Sequence, residues 1–327
     1  MRLCSSSLVR LPNASAFYAS VGFNGARESI GPRRTFTLKE LLIVVTIVCL
    51  IFGIVVPAVQ QSRAAARRAE CANNLKQIQI AALISTDARR MFASGYESKI
   101  MPTGDDLGPG WGLCLIYLPY IEQIRFLAEL QRDEQISSPQ NTSVRLRNLP
   151  IFNCPADCPV SPWTVVARDS SGVVTQTICE ISASNYIGMC GTVDMFDNND
   201  GMYFRNSRIL LDDVSDGTSY TIAIGERSQN LGPATWVGVV PGARLFPDKP
   251  GLTPRVVKHG SGMTLGRAGV GHGPGSPKSE VDEFQSRHRG GVNFVFVDGH
   301  AEFLSSEMDA GCFRAMATRA GGDRISP

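Results

Sequence analysis

Arg34–Gln61 reads RTFTLKELLIVVTIVCLIFGIVVPAVQQ, and its interpretation decides what the rest of the chain can be. Leu41 to Val56 is sixteen residues without a charge. With Phe36 to Leu38 before it and Ala58-Val59 after it, the run makes a helix long enough to cross a hydrocarbon core of ~30 Å. A removable secretory signal is the competing reading. Its apolar region would stop sooner, with a small-residue cleavage site close behind. The nearest such site, Ala64-Ala65-Ala66, lies eight residues past Val56 and follows Arg63. A membrane anchor is therefore expected. Glu40 sits at its front edge, where a lone carboxylate is costly unless it is paired or snorkels beside Lys39. Pro57 falls inside the helical pattern and predicts a kink. Strong helix formers continue beyond it, and Cys71, Leu75, Ile78 and Ala82 share a face at spacings of 4, 3 and 4. The spacing predicts one long helix that leaves the membrane and lays an apolar stripe on a folded body.

Composition agrees. The chain has 327 residues, 43% hydrophobic and 19% charged, which suits a globular core plus one membrane-grade segment. The net charge of +2 is uneven. Residues 1–35 carry five Arg and one Glu, and residues 60–90 carry six basic and two acidic side chains. The part beyond residue 90 is thus mildly acidic, which argues against nucleic acid as a partner. The two basic flanks of the apolar run tie, so charge alone does not orient it.

The body after residue 92 reads mainly as strands and loops, with Gly, Pro, Asn and Asp punctuating it as in antiparallel sheet. A further helix is expected at "LPYIEQIRFLAELQR", with Pro119 in its first turn and Leu118, Ile121, Ile124 and Ala128 on one face. At the C-terminal end, "GVNFVFV" and "HAEFL" flank Asp298-Gly299, a strong two-residue hairpin signal. That register sets Phe294 opposite Phe303 and puts Val292, Phe294, Phe296, Ala301 and Phe303 on one face.

Chemistry-bearing residues are sparse. All four histidines, His259, His272, His288 and His300, lie in the last 70 residues. His288, Asp298 and His300 could converge on a metal, but turn geometry and a simple His–carboxylate bond explain them as well. "DMFDNNDG" offers Asp194, Asp197 and Asp200 as calcium ligands, although Phe196 stands where the calcium-loop pattern needs its first Asp. No metal site is favoured and no cofactor is expected. The Gly-rich "GSGMTLGRAGVGHGPGSP" lacks a phosphate-loop pattern and reads as a flexible surface loop. Trp111, Trp163 and Trp236 could form a sugar platform or simply fill the core. Nothing assembles a Ser-His-Asp or Cys-His nucleophile, so the chain reads as no enzyme.

The N-terminal text "FTLKELLIVV", with Phe36 first, Glu40 fifth and Pro57 twenty-second, resembles a type IV prepilin or pseudopilin N-terminus. Downstream, "PAVQQSRAAARRAECANNLKQI", "LPYIEQ", "FNCPAD", "SNYIGMCG", "DGMYFRNSRILLDDVSDGTSYTIAIGERS" and "SRHRGGVNFVFVDGHAEFL" resemble, in order, a large bacterial family of pseudopilin-like proteins. That family carries a prepilin-type cleavage/methylation signal and a C-terminal H-x9-DG motif, here His288 with Asp298 and Gly299. The resemblance covers residues 34–305, and the family's molecular function is uncharacterised. It implies an α+β, type IV pilin-like fold: a long N-terminal transmembrane helix packed on a mainly antiparallel body. The domains are then a basic leader at 1–35, the helix at 36–92 (in the membrane over about 36–59) and the exported body at 93–327.

It further implies a prepilin peptidase cutting between Thr35 and Phe36, methylation of the new amine, and pairing of Glu40 with the amine of a neighbouring subunit. Thr35 departs from the Gly that the peptidase pattern has there, which leaves a permanently tethered envelope module, binding a glycan, ion or protein, as the alternative. The implied place is the cytoplasmic (inner) membrane, single-pass, with the body outside, in the periplasm or at the cell surface. Its partners are the membrane and either copies of itself or other pseudopilins, as in a type II secretion-like assembly. Nine cysteines, seven of them after the membrane helix, fit an oxidising compartment. Cys154 and Cys158 have no second matching pair, which argues against a zinc knuckle. Cys71–Cys154 and Cys179–Cys190 are the expected disulfides, with buried free thiols as the alternative.

Overall fold

The computed structural model describes residues 37–121, 125–157, 159–193, 199–247 and 256–322. Thr35 and Phe36, and the leader before them, lie outside the described residues. The chain divides into two units, Met1–Val56 and Pro57–Pro327. Helix α1 runs Leu38–Arg89 and contains Pro57. Strands β1 (Tyr96–Ile100) and β2 (Asp106–Gly112) follow, then the short helices α2 (Leu113–Tyr117) and α3 (Thr142–Arg145). Next come β3 (Trp163–Arg168), β4 (Val174–Ile181), β5 (Tyr186–Gly191), β6 (Ile222–Glu226), β7 (Arg244–Leu245), β8 (Lys258–His259) and β9 (Leu265–Arg267). The hairpin β10 (Gly291–Phe296) and β11 (Ala301–Ser305) and helix α4 (Ala310–Ala317) close the described chain. The fold class is α+β with mainly antiparallel sheets.

The first unit holds the start of α1. Thr37 Oγ1 accepts from Glu40 N, while Glu40 Oε2 accepts from Thr37 N at 2.8 Å. This T-x-x-E capping box satisfies donors that every helix start leaves unpaired. Every residue from Thr37 to Val56 is exposed, and the segment is long and apolar enough to cross a membrane. It is a candidate membrane span.

The second unit is built on a five-stranded sheet in the order β11-β10-β6-β5-β9, antiparallel except for the β5–β9 pair. The downstream part of α1 lies on one face. Cys71, Leu75, Ile78 and Ala82, the four stripe positions, are all fully buried. Gln79 is buried beside them, and its Nε2 donates to the Val297 carbonyl at 2.9 Å. Arg68 stacks 4.7 Å above the Phe303 ring. The opposite face packs Val292, Phe294, Phe296 and Leu304 against Phe284 and α4, with Phe313 5.5 Å from Phe294. Burial on both faces explains why β10 is apolar at nearly every position instead of alternating.

Three expectations are corrected here. The C-terminal turn has three residues, not two: Phe296 N donates to the His300 carbonyl and Gly299 N to the Phe296 carbonyl. Gly299, at φ 97°, takes the left-handed position that such a bulged turn requires. The register shifts by one, so Phe294 faces Glu302 and Asn293 faces Phe303. That slip moves Ala301 and Phe303 to the face shared with Val295. The Gly-rich stretch is not a surface loop, since Leu265–Arg267 forms the buried strand β9. A Cβ on Gly266 would lie 2.6 Å from Ile187 and 2.7 Å from Phe284, so this glycine serves close packing. Finally, "LPYIEQIRFLAELQR" forms no single helix. Its described parts are the tight turns Leu118–Ile121 and Arg125–Glu129. The Asn141 side chain grips the backbone N–H and carbonyl of Gln131, and Trp111 Nε1 donates to the Arg132 carbonyl. These tertiary bonds override helix propensity.

Candidate functional site

The stretches "FNCPAD", "SNYIGMCG", "GERS" and "SRHRGG", far apart in the chain, meet at one end of the central sheet. Asp157 is the hub. Its carboxylate is 3% exposed and accepts from Asn185 Nδ2 and Gln229 N at 2.7 Å, Ser228 Oγ at 3.1 Å and Arg287 Nε at 3.0 Å. A buried carboxylate is stable only when its lone pairs are filled in this way. Asn185, just before β5, completes the link: its Oδ1 accepts from Cys154 N at 2.8 Å and its Nδ2 donates to the Arg227 carbonyl. Arg227 is fully buried, and its guanidinium donates to the carbonyls of Glu283, Gly262 and Leu265. Burial pushes it down to about 10, still cationic at neutral pH.

Beside this hub sits His288. Its backbone N–H donates to Ser286 Oγ, which in turn donates to the Gly291 carbonyl, fixing the loop that leads into β10. His288 Nε2 lies 3.5 Å from Glu226 Oε1 and 3.5 Å from Cys154 Sγ. Glu226 closes β6, where its Oε2 accepts from the backbone and side-chain nitrogens of Asn293 on β10. Cys154 is disulfide-bonded to Cys71 of α1, with Cα atoms 5.4 Å apart. The bond pins the helix to the loop that carries Asp157.

The other sequence-singled residues go elsewhere. His288 and His300 do not converge: β10 lies between them, and His300 sits at the hairpin tip. There His300 stacks on Phe296 and its Nδ1 is 2.6 Å from Asp298 Oδ1. Burial raises the Asp298 carboxyl, but bonds from Ser219 and His300 outweigh it and hold the group below its usual range. His259 pairs with Asp106 and His272 with Glu283, so each histidine has its own carboxylate. Cys179 and Cys190 form no bridge. Cys179 lies in the β3–β4 hairpin and Cys190 in the central sheet; both are buried free thiols. Burial pushes both thiols up, which makes them poor nucleophiles. Asp194 and Asp197 lie outside the described residues, and the Asp200 carboxylate accepts from Thr192 N at 2.7 Å. Trp236 is buried and stacked on Phe152. Glu226, Asn293, Asp157 and Asn185 were missed as site residues by sequence reasoning. Their only signal was a place within the quoted stretches.

No curated protein and no solved structure matches the chain. A family profile described as "Protein of unknown function (DUF1559)" matches residues 60–311, the whole of the polar hub and of the His288 cluster included. That match covers most of the chain, and the protein therefore belongs to this family of unknown function.

Proposed function

We propose that the protein is a membrane-anchored, exported, pseudopilin-like structural subunit with no catalysis of its own. The observation that carries this reading is α1, whose upstream residues are apolar on every face and exposed while its downstream stripe is the spine of a sheet-built body. A helix of that kind suits an anchor that also packs beside copies of itself. The Cys71–Cys154 disulfide favours a body held in an oxidising compartment outside the cytoplasmic membrane. Glu40 caps its own helix in the single chain, and on assembly it would exchange Thr37 for the amine of a neighbouring Phe36. Such an ion pair gains strength in a low dielectric.

Mass spectrometry of the native N-terminus tests the reading. A mature chain starting at N-methyl-Phe36 is expected from prepilin peptidase. A chain retaining residues upstream of Phe36 favours the second reading, a permanently tethered envelope binding module. Thr35, in place of the peptidase pattern's Gly, is the observation behind that alternative.

A further inference from the structure

Four ligand-bearing side chains end in one small volume: Cys71 from α1, Cys154 after the turn Pro150–Phe152, Glu226 from β6 and His288 from the loop before β10. Their ligand atoms all lie within 4.8 Å of one another. The Glu226 and His288 side chains are 2% and 5% exposed, and both cysteines are buried. Glu226 carries the decisive irregularity. Asn293 fills Oε2 with two hydrogen bonds, yet Oε1 has no hydrogen-bond partner among the described residues. A buried carboxylate oxygen without a donor is costly and calls for a ligand. His288 is its nearest polar neighbour, an ion-pair contact at 3.5 Å that is too long to fill the lone pair, and the same Nε2 is within hydrogen-bond reach of Cys154 Sγ, also at 3.5 Å. Nitrogen, oxygen and sulfur thus crowd one buried volume.

We infer that, when Cys71 and Cys154 are thiols, these four groups bind one zinc-class divalent cation, and that the disulfide is the metal-free form of the same site. The donor set of two sulfurs, one imidazole and one carboxylate is one that a borderline-soft, tetrahedral ion prefers over calcium or magnesium. Bond lengths of about 2.0–2.3 Å place tetrahedral ligand atoms roughly 3.3–3.8 Å apart. The two 3.5 Å separations at His288 already match. The two sulfurs must move apart, and the remaining separations start from within 4.8 Å. The outer shell is in place: Asn293 aims Glu226, Ser286 holds the His288 backbone, and Asn185 holds the Cys154 backbone. Two thiolates and a carboxylate leave one negative charge around a divalent ion. His288 lines a 390 Å³ cleft with Arg67, Arg68, Arg287 and Arg289, which sets compensating charge beside it.

The chemistry balances. Reducing the disulfide takes two electrons and two protons from a dithiol reductant, which becomes a disulfide. Metal binding then releases the two thiol protons to solvent. In reverse, a disulfide-bearing oxidant accepts two electrons from the thiolates, the S–S bond re-forms, and the cation leaves.

The test uses the full chain in detergent, reduced with a phosphine, incubated with zinc and desalted. Elemental analysis is expected to find one zinc per reduced chain and less than a tenth of that in the oxidised chain. His288→Gln and Glu226→Gln are each expected to weaken zinc at least ten-fold in competition with a chromophoric chelator. Cobalt in the reduced wild type is expected to show tetrahedral d–d bands with a thiolate charge-transfer band. Failure of the reduced chain to retain zinc overturns the inference. So does zinc affinity as high as wild type in both variants, which would leave the cysteines as the sole holders. Should a variant fail to fold, the cobalt spectrum of the wild type decides, and its lack of tetrahedral bands overturns the site. None of these readouts depends on how the N-terminus is processed.

Discussion

Leu41–Val56 and Cys71–Thr86 are sixteen-residue pieces of the same helix with opposite designs. The first is uncharged, apolar on every side and exposed throughout. The second is apolar along one stripe, with Lys76 and Gln77 turned outward and Gln79, Ser85 and Thr86 buried. Hydrocarbon asks only that no polar side chain meet it, from any direction. A protein core asks for a stripe of the right width, and for a partner for each polar group it takes in. Gln79 meets that demand at its Nε2, which donates to the Val297 carbonyl, whereas its Oε1 and the Ser85 hydroxyl have no hydrogen-bond partner among the described residues.

Matched substitutions are the sharpest way to break that comparison. Ile78→Asp puts an unpaired charge at a fully buried position and should cost several kcal/mol, enough to unfold the body. Val48→Asp should leave the urea midpoint of the detergent-held full chain unchanged while reducing its recovery in the membrane fraction. A body destabilised by Val48→Asp would mean that the upstream piece is also a core element. Next in size is the cross-link. Cys71→Ser opens a loop of 83 residues and should cost about 4.5 kcal/mol by the loop-entropy argument, read in the same urea titration.

Charge provides the next contrast. The upstream piece has none, whereas the body buries an ionic cluster in which Arg267 meets Asp282 and Glu280. Within it, burial pushes the Glu283 carboxyl up to about 7, against the pull of Arg267. Between the ordinary carboxylate range and pH 7 the native chain keeps a proton that the unfolded chain has lost. Stability from this group is therefore full at low pH and declines as pH rises to about 7. Glu283→Gln should flatten that slope, a difference of up to about 3 kcal/mol between pH 4.5 and 7.5 in denaturation midpoints. A slope unchanged by the substitution would place the pH dependence elsewhere. The smallest pair compares glycines. Gly299→Ala forces a side chain into a left-handed turn and should cost about 1 kcal/mol. Gly53→Ala meets nothing within 4 Å in the chain and should leave the body's midpoint alone.

Legibility followed the range of the signal. The stripe Cys71, Leu75, Ile78 and Ala82 was visible because helical periodicity is a local property, and the burial of all four follows it. The hairpin at Asp298-Gly299 was visible for the same reason. Its register was not, because whether a turn has two or three residues depends on which face each strand must bury. The Gly-rich text misled because glycine has two uses, freedom and closeness, and only the neighbours of Gly266 tell them apart. Of the site, His288 and Cys154 were singled out separately, one for a hairpin motif and one for a disulfide. Glu226 was hidden inside a strand.

The local text therefore sets the long helix, its two kinds of surface, the β-rich body and the final hairpin, since periodicity and turn chemistry act over a few residues. The folded chain alone decides that β9 joins the sheet, that the four histidines part company, and that Cys71, Cys154, Glu226 and His288 share one buried volume. Those outcomes rest on contacts between segments far apart in sequence, where packing and the filling of buried polar groups choose the neighbours and no local pattern records the choice.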